Sequence, residues 1–204
     1  MPERNYASPA RDAAAAETRA NVIAAAAGLL RKAADPGKVS LEAVAKAAGV
    51  TRLTVYNQFG SRRGLLEAVF DDIAREGGLH RLAAAMAMPD PRAALDRVVD
   101  VFCEFWAHNQ ALGALHAAAA GDSEFAVALA ERNARRRKLV GGLLQRLVEA
   151  GELRAADAEE IGDLLFALTS YATYAMLTAQ GRKPAAVRRV LKSALAALLA
   201  GAGR

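Results

Sequence analysis

The chain has little that would staple or ligate it. Its one cysteine, Cys103, has no partner for an internal disulfide, and its three scattered histidines lack metal-ligand spacing, so neither disulfides nor zinc are expected. Aromatics are only 5% of the residues although apolar types make up 53%, so burial must come largely from Ala, Leu and Val on closely packed helices. An all-α fold follows. No run of eighteen uncharged apolar residues occurs, and the opening MPERNYASPARD carries charge and proline where a signal peptide needs an apolar stretch. A soluble, cytoplasmic chain without a membrane partner is expected. Gly-rich phosphate loops and nucleophile elbows are also missing, and Cys103 and His108 stand five apart, off the facing i+4 position. These absences argue against an enzyme and for a protein with no cofactor and no metal.

The net charge of +5 is unevenly placed. Residues 1–63 carry ten Lys/Arg against five Asp/Glu, which leaves seventeen of each sign for residues 64–204, so the whole excess lies in the first third. Such asymmetry fits a polyanion partner for that third. It fits a basic solvated face equally well.

Residues 1–15, with Pro2 and Pro9 among mixed charges and no apolar period, read as a disordered arm. From Thr18 the series Val22, Ile23, Ala26, Leu30, Ala33 repeats at helical spacing until Asp35-Pro36-Gly37 breaks it. Ser40 is an N-cap type ahead of a short helix whose inner face is Leu41, Val44, Ala45 and Ala48; Gly49 ends it. Thr51 caps a second short helix that ends near Phe59. A further helix runs from Ser61 into the 80s, loosened at Gly77-Gly78, and others are expected at 91–108, 110–120, 123–150, 157–180 and 185–200. The total is about nine helices.

The segment from Ser40 to Phe59 has the steric logic of a helix-turn-helix: a small residue, Ala45, where two helices cross, a glycine, Gly49, at the turn, and Val44, Ala48, Val50 and Val55 closing a small core. Two packed helices of an unrelated all-α protein are the alternative. The run Gly49-Val50-Thr51-Arg52-Leu53-Thr54-Val55-Tyr56-Asn57-Gln58-Phe59-Gly60-Ser61-Arg62 resembles the DNA-binding domain of the TetR family, with motif similarity over residues 18–66. The resemblance implies that Arg52, Leu53, Tyr56 and Asn57 face the major groove and that Thr54, Gln58 and Arg62 approach phosphates, with the caps Ser40 and Thr51 in the same DNA-binding set. The sequence departs from the family pattern in having Gln58 where His is common and Arg62-Arg63 where Lys-Glu is common. With Gly64 three residues after Ser61, no reciprocal capping box forms there, which implies a less rigid start to the following helix.

The resemblance further implies an N-terminal three-helix DNA-binding domain, residues 16–64, and a helical ligand-sensing and dimerisation domain, residues 65–204. The partners are then double-stranded operator DNA, a small-molecule effector and a second copy of the chain. Apolar positions Ile161, Leu164, Leu165, Leu168, Ala172, Leu191, Leu195 and Leu198 are at helical spacing in the last two predicted helices, and either an intersubunit bundle or an internal core accounts for them. Seven of the eleven aromatics fall between residues 102 and 174: Phe102, Phe105 and Trp106 at i, i+3 and i+4, with Phe125, Phe166, Tyr171 and Tyr174. With His108, His116, Thr169 and Thr173 they outline a pocket for a mostly apolar or aromatic effector, although any one of them also fits a core. Arg135-Arg136-Arg137-Lys138 reads as a solvated helix face rather than as a site for an acidic ligand. The expected function is a ligand-responsive repressor; the rival is a helical carrier or small-molecule-binding protein without DNA function.

Overall fold

A computed structural model describes residues 9–109 and 111–202. Those residues form eleven α-helices and one 3-10 turn: α1 (Pro9–Lys32), the turn (Pro36–Lys38), α2 (Leu41–Ala48), α3 (Arg52–Phe59), α4 (Arg62–Glu76), α5 (Arg81–Met86), α6 (Pro91–His108), α7 (Ala111–Ala119), α8 (Ser123–Glu149), α9 (Ala155–Leu168), α10 (Tyr171–Ala179) and α11 (Pro184–Ala202). No helix among them is long and apolar enough to cross a membrane.

The fold class is the expected one, with two more helices than the sequence suggests. The helix expected over 61 to the 80s breaks where Gly78 takes a φ of 79°, a conformation that favours glycine, and the chain restarts as α5. The helix expected over 157–180 ends at Thr169, because Ser170 turns extended and its side chain accepts from the Thr173 amide 3.1 Å away, capping α10. At the other end, α1 starts at Pro9, inside the expected arm. The alanine run 13–16 and Asp12 in the first turn favour helix there; residues 1–8 lie outside the described residues.

The chain divides into two compact units, residues 1–72 with 111–126, and residues 73–110 with 127–204. In the first, α1 packs on α2 and α7, α2 on α3, and α7 on the 3-10 turn. Its core is Val22, Ala26 and Leu30 of α1, Val44 and Ala45 of α2, Val55 of α3, Leu65, Leu66 and Val69 of α4, Leu112 and Leu115 of α7, and Phe125 at the start of α8. Burying each Leu or Phe contributes roughly 1.5–3 kcal/mol. In the second unit, α6 packs against α5, α10 and α11 and buries Leu95, Val98, Val99, Phe102 and Phe105. Leu143, Leu144 and Leu147 of α8, Ile161 and Leu165 of α9, and Leu191, Leu195 and Leu199 of α11 complete that core.

Opposite its apolar stripe, α6 carries Asp96, Asp100 and Glu104 one turn apart. Lys192 of α11 donates to Asp96 at 2.7 Å and to Asp100 at 2.8 Å, Arg188 reaches Glu104 at 3.4 Å, and Arg81 of α5 donates to Glu104 at 2.5 Å. The linked charges orient α5 and α11 on α6, a role that single surface pairs rarely fill. Arg146 of α8 closes the end of α5, donating to the carbonyls of Met86 at 3.1 Å, Met88 at 2.6 Å and Pro89 at 2.8 Å.

The start of α4 is tied down more firmly than the missing capping box implies. Ser61 Oγ accepts from the Gly64 amide at 3.0 Å, and a Cβ on Gly64 would overlap the carbonyl oxygen of Phe59 at the end of α3. A glycine-to-alanine change inside a helix ordinarily stabilises by up to about 1 kcal/mol. Here overpacking, with a typical cost of about 1–3 kcal/mol, decides the sign. Gly64→Ala is expected to lower the urea midpoint; a raised midpoint would show that α3 and α4 separate freely.

Candidate nucleic-acid interface and effector cavity

The helix-turn-helix is built from local bonds. Ser40 Oγ accepts from the Ala43 amide at 3.2 Å, Gly49 ends α2 at φ 68° and ψ 26°, and Thr51 Oγ1 accepts from the Thr54 amide at 3.0 Å. Beneath them Val44, Ala45 and Val55 are buried, so α3 presents its other face outward. On that face are Arg52, Leu53, Tyr56 and Asn57, all exposed, with Leu53 at 65% and Tyr56 at 56%. Two large apolar side chains one turn apart in solvent, beside a guanidinium with no ion-pair partner among the described residues, form a surface suited to base edges and phosphates. The Thr51 cap adjoins it in the chain, with its hydroxyl 2.9 Å from that of Thr54, while Ser40 caps α2.

Two residues expected at phosphates are used internally. The Gln58 amide donates to the Ala15 carbonyl at 3.4 Å, while its backbone oxygen accepts from Arg19, whose guanidinium is 4.4 Å above the Phe59 ring. Arg62 is half-buried. It donates through Nε to Val39 O at 2.9 Å, through Nη2 to Pro36 O at 3.2 Å, and through Nη1 to the Asp122 carboxylate. Asp122 in turn accepts from the Phe125 amide at 3.0 Å, at the start of α8. Sequence spacing carried no signal of this, because Asp122 lies sixty residues away.

In the second unit the structure brings together Phe102, Phe105, Trp106, Thr169, Tyr171 and Tyr174. The Trp106 ring is 4.5 Å from Phe105, 6.1 Å from Phe102 and 5.6 Å, edge-on, from Tyr171; its Nε1 donates to Thr169 O at 3.0 Å. An open cavity of about 530 Å³ is lined by Trp106, Asn109, Tyr171, Tyr174, Thr178 and Arg182 with small apolar residues between them. Burial raises the phenol pKa of both tyrosines, so they act there as neutral hydrogen-bonding groups. Asn109, Thr178 and Arg182 are not among the residues the sequence pointed to, because they flank helix ends rather than lie in the aromatic stripe. His116 and Phe125 belong to the first unit instead: His116 Nδ1 bonds Leu112 O within α7 at 2.8 Å, and Phe125 is fully buried in that unit's core.

The basic run on α8 is split. Arg135, Arg137 and Lys138 are exposed, as a solvated face requires, but Arg136 is only 7% exposed. Its position on α8 turns it towards Phe166 of α9, which lies between the guanidinium groups of Arg136 at 4.2 Å and Arg137 at 4.3 Å. Among the proposed contact residues, Leu191 and Leu195 are buried within the subunit, since they face α6. Leu164, Leu168 and Leu198 instead line a shallow apolar groove of about 490 Å³ with Ala194, Ala197 and Gly201, and Ala172 is exposed. No group of His, Cys, Asp and Glu suited to a metal ion occurs among the described residues.

The family model for bacterial regulatory proteins of the tetR family matches residues 22–69, the stretch that holds these caps and the exposed face of α3. Residues 22–69 are thus a DNA-binding domain of the tetR type. Solved TetR-type structures share its fold. A TetR-like transcriptional regulator from Rhodococcus sp. RHA1 is 21% identical with a TM-score of 0.67, covering 90% of this chain and 96% of that one. NalD of Pseudomonas aeruginosa, the secondary repressor of the MexAB-OprM multidrug efflux pump, is 21% identical with a TM-score of 0.68, covering 93% and 98%. The ketosteroid transcriptional regulator KstR2 of Mycobacterium tuberculosis is 16% identical with a TM-score of 0.62, covering 91% and 95%. No curated protein matches the chain.

The Arg62 contacts make a test of structural against DNA-contacting roles. A double-mutant cycle with Arg62→Ala and Asp122→Ala should give a coupling of about 0.5–3 kcal/mol in urea unfolding of the DNA-free protein. Additive losses would release Arg62 for phosphate contact.

Proposed function

We propose that this chain is a TetR-family, ligand-responsive transcriptional repressor that binds a pseudopalindromic operator as a homodimer and is released by a small, mostly apolar or aromatic effector. The observation that carries the reading is the exposed set Arg52, Leu53, Tyr56 and Asn57 on a helix capped at both ends. In this reading residues 16–64 read DNA and residues 65–204 sense the effector and dimerise. The repressor role of NalD supports the direction of control. A helical carrier would use the cavity beside Trp106 and leave Leu53 and Tyr56 exposed without a purpose.

Arg52 follows the Thr51 cap, where a guanidinium can bond two acceptors of a guanine, while a Tyr56 phenol suits a phosphate. With an operator selected from random DNA, Arg52→Ala is expected to cost about 1–3 kcal/mol on that operator and much less on scrambled DNA. Tyr56→Phe should weaken both alike. Equal loss on both DNAs for Arg52→Ala would remove Arg52 from base reading, and unchanged affinity in both variants would remove α3 from the interface.

Leu164, Leu168 and Leu198, an apolar groove on adjacent helices that one subunit leaves uncovered, support the dimer in this reading. Light scattering at micromolar concentration should give a dimer mass, and Leu164→Arg with Leu198→Arg should give a monomer. A monomeric wild type would overturn this assignment.

A further inference from the structure

Arg136 is the most buried charge among the described residues of the second unit, and its guanidinium is incompletely bonded. Its Nη1 reaches the Thr169 hydroxyl at 3.4 Å and its Nη2 the Asn133 side chain at 3.3 Å, both long, and its Nε has no hydrogen-bond partner. No carboxylate meets it among the described residues. Arg81, Arg92, Arg137 and Arg188 of the same unit each have one, from Glu104, Glu152, Asp163 and Glu104 respectively. Burial, with the like charge of Arg137 next to it, lowers the Arg136 pKa to about 10, so it stays a cation at neutral pH. Two phenylalanine faces offset part of its lost hydration, Phe166 at 4.2 Å and Phe102 at 5.7 Å. A buried cation left this way destabilises the fold, and an apolar residue of similar size would pack at lower cost.

The surroundings of the guanidinium lead to the effector cavity. Thr169 Oγ1 donates to Leu165 O at 2.8 Å and therefore faces Arg136 as an acceptor, while the Thr169 carbonyl holds the Trp106 indole. The Phe102 ring is 5.7 Å from the guanidinium and 6.1 Å from the indole ring. Trp106 lines the open cavity, and Thr169 borders a small void of about 10 Å³ among Leu95, Val98, Val99, Val140, Leu165 and Leu195. The free donor thus sits behind the aromatic wall of the cavity, with a small unfilled volume beside Thr169.

We propose that Arg136 is the anchor for an anionic effector, a carboxylate on an apolar or aromatic body: the carboxylate takes Nε and one terminal nitrogen of the guanidinium, and the body packs among Phe102, Trp106 and Phe166. This rests on the effector-sensing reading above and specifies its ligand class. A carboxylate supplies the two acceptors that a guanidinium edge matches in parallel, and Nε is one of the two donors on that edge. The Trp106 indole must shift for the ligand to pass from the open cavity to Arg136, so binding is reported by the chain's only tryptophan.

The test uses the full-length protein and four probes, 4-phenylbutyrate and 2-naphthoate with their primary amides, titrated to millimolar concentration while Trp106 emission is read. The acids are expected to bind at least about tenfold more tightly than the amides, as a buried charge-assisted pair implies. Arg136→Met should abolish that preference and raise Tm by a few degrees; Arg136→Gln serves if the Met variant fails to fold. Arg182→Gln, at the exposed rim of the cavity, should keep the preference. Equal binding of acids and amides, no response to any acid, or a preference that survives loss of Arg136 would each overturn the proposal, and loss of the preference in Arg182→Gln would move the carboxylate to the rim. The titration needs no DNA, so a chain that binds acids through Arg136 but no operator would reject the repressor reading alone.

Discussion

The guanidinium of Arg62 ties three separate pieces of the first unit: the turn after α1 through the Pro36 and Val39 carbonyls, the first residue of α4 on which it stands, and the start of α8 through Asp122. Arginine suits this position because its planar fork offers donors in several directions at once, which a lysine does not. The exposed face of α3 depends on that junction. Helix α3 is eight residues long, too short to hold its own conformation, and it is positioned by its Thr51 cap, by the Gly64 backbone packed at its end and by the Arg19 and Gln58 bonds to α1. A surface placed so firmly loses little entropy on meeting a partner.

The second unit handles charge in two opposite ways. Along α6 the acids Asp96, Asp100 and Glu104 meet Lys192, Arg188 and Arg81, all but Asp100 about one-third to one-half exposed, where water moderates any mismatch. At Arg136 the charge is taken into an aromatic setting and left incomplete. The first arrangement contributes to orienting helices; the second detracts from stability, and such a group persists where a ligand completes it. A core built mostly from Ala, Leu and Val makes the contrast sharper, because few other polar atoms are buried in it.

The helix-turn-helix was legible in the sequence because its determinants are local: caps at Ser40 and Thr51, a left-handed residue at Gly49, and helical spacing of Val44 and Val55. Most helix boundaries from 91 onward were legible for the same reason, and the break at Thr169-Ser170 was not, since apolar spacing runs through it and only the Ser170 cap marks it. The aromatic cluster of Phe102, Phe105 and Trp106 could be read from i, i+3 and i+4 spacing. Its company could not: Phe125 and His116 joined the first unit, while Asn109, Thr178 and Arg182 joined the cavity.

Four consecutive basic residues on α8 show where local reading ends. By itself the sequence determined that they are helical and that most of them face water, because a helix of that composition has a wide polar side. Which of the four turns inward depends on the angular position of α8 against α6 and α9, and that is decided by packing among residues thirty or more positions apart. The same holds for Arg62. Its charge and its place after Ser61 were evident in the sequence, but its acceptors are carbonyls and a carboxylate contributed by other segments, and only the closed tertiary structure brings them within reach.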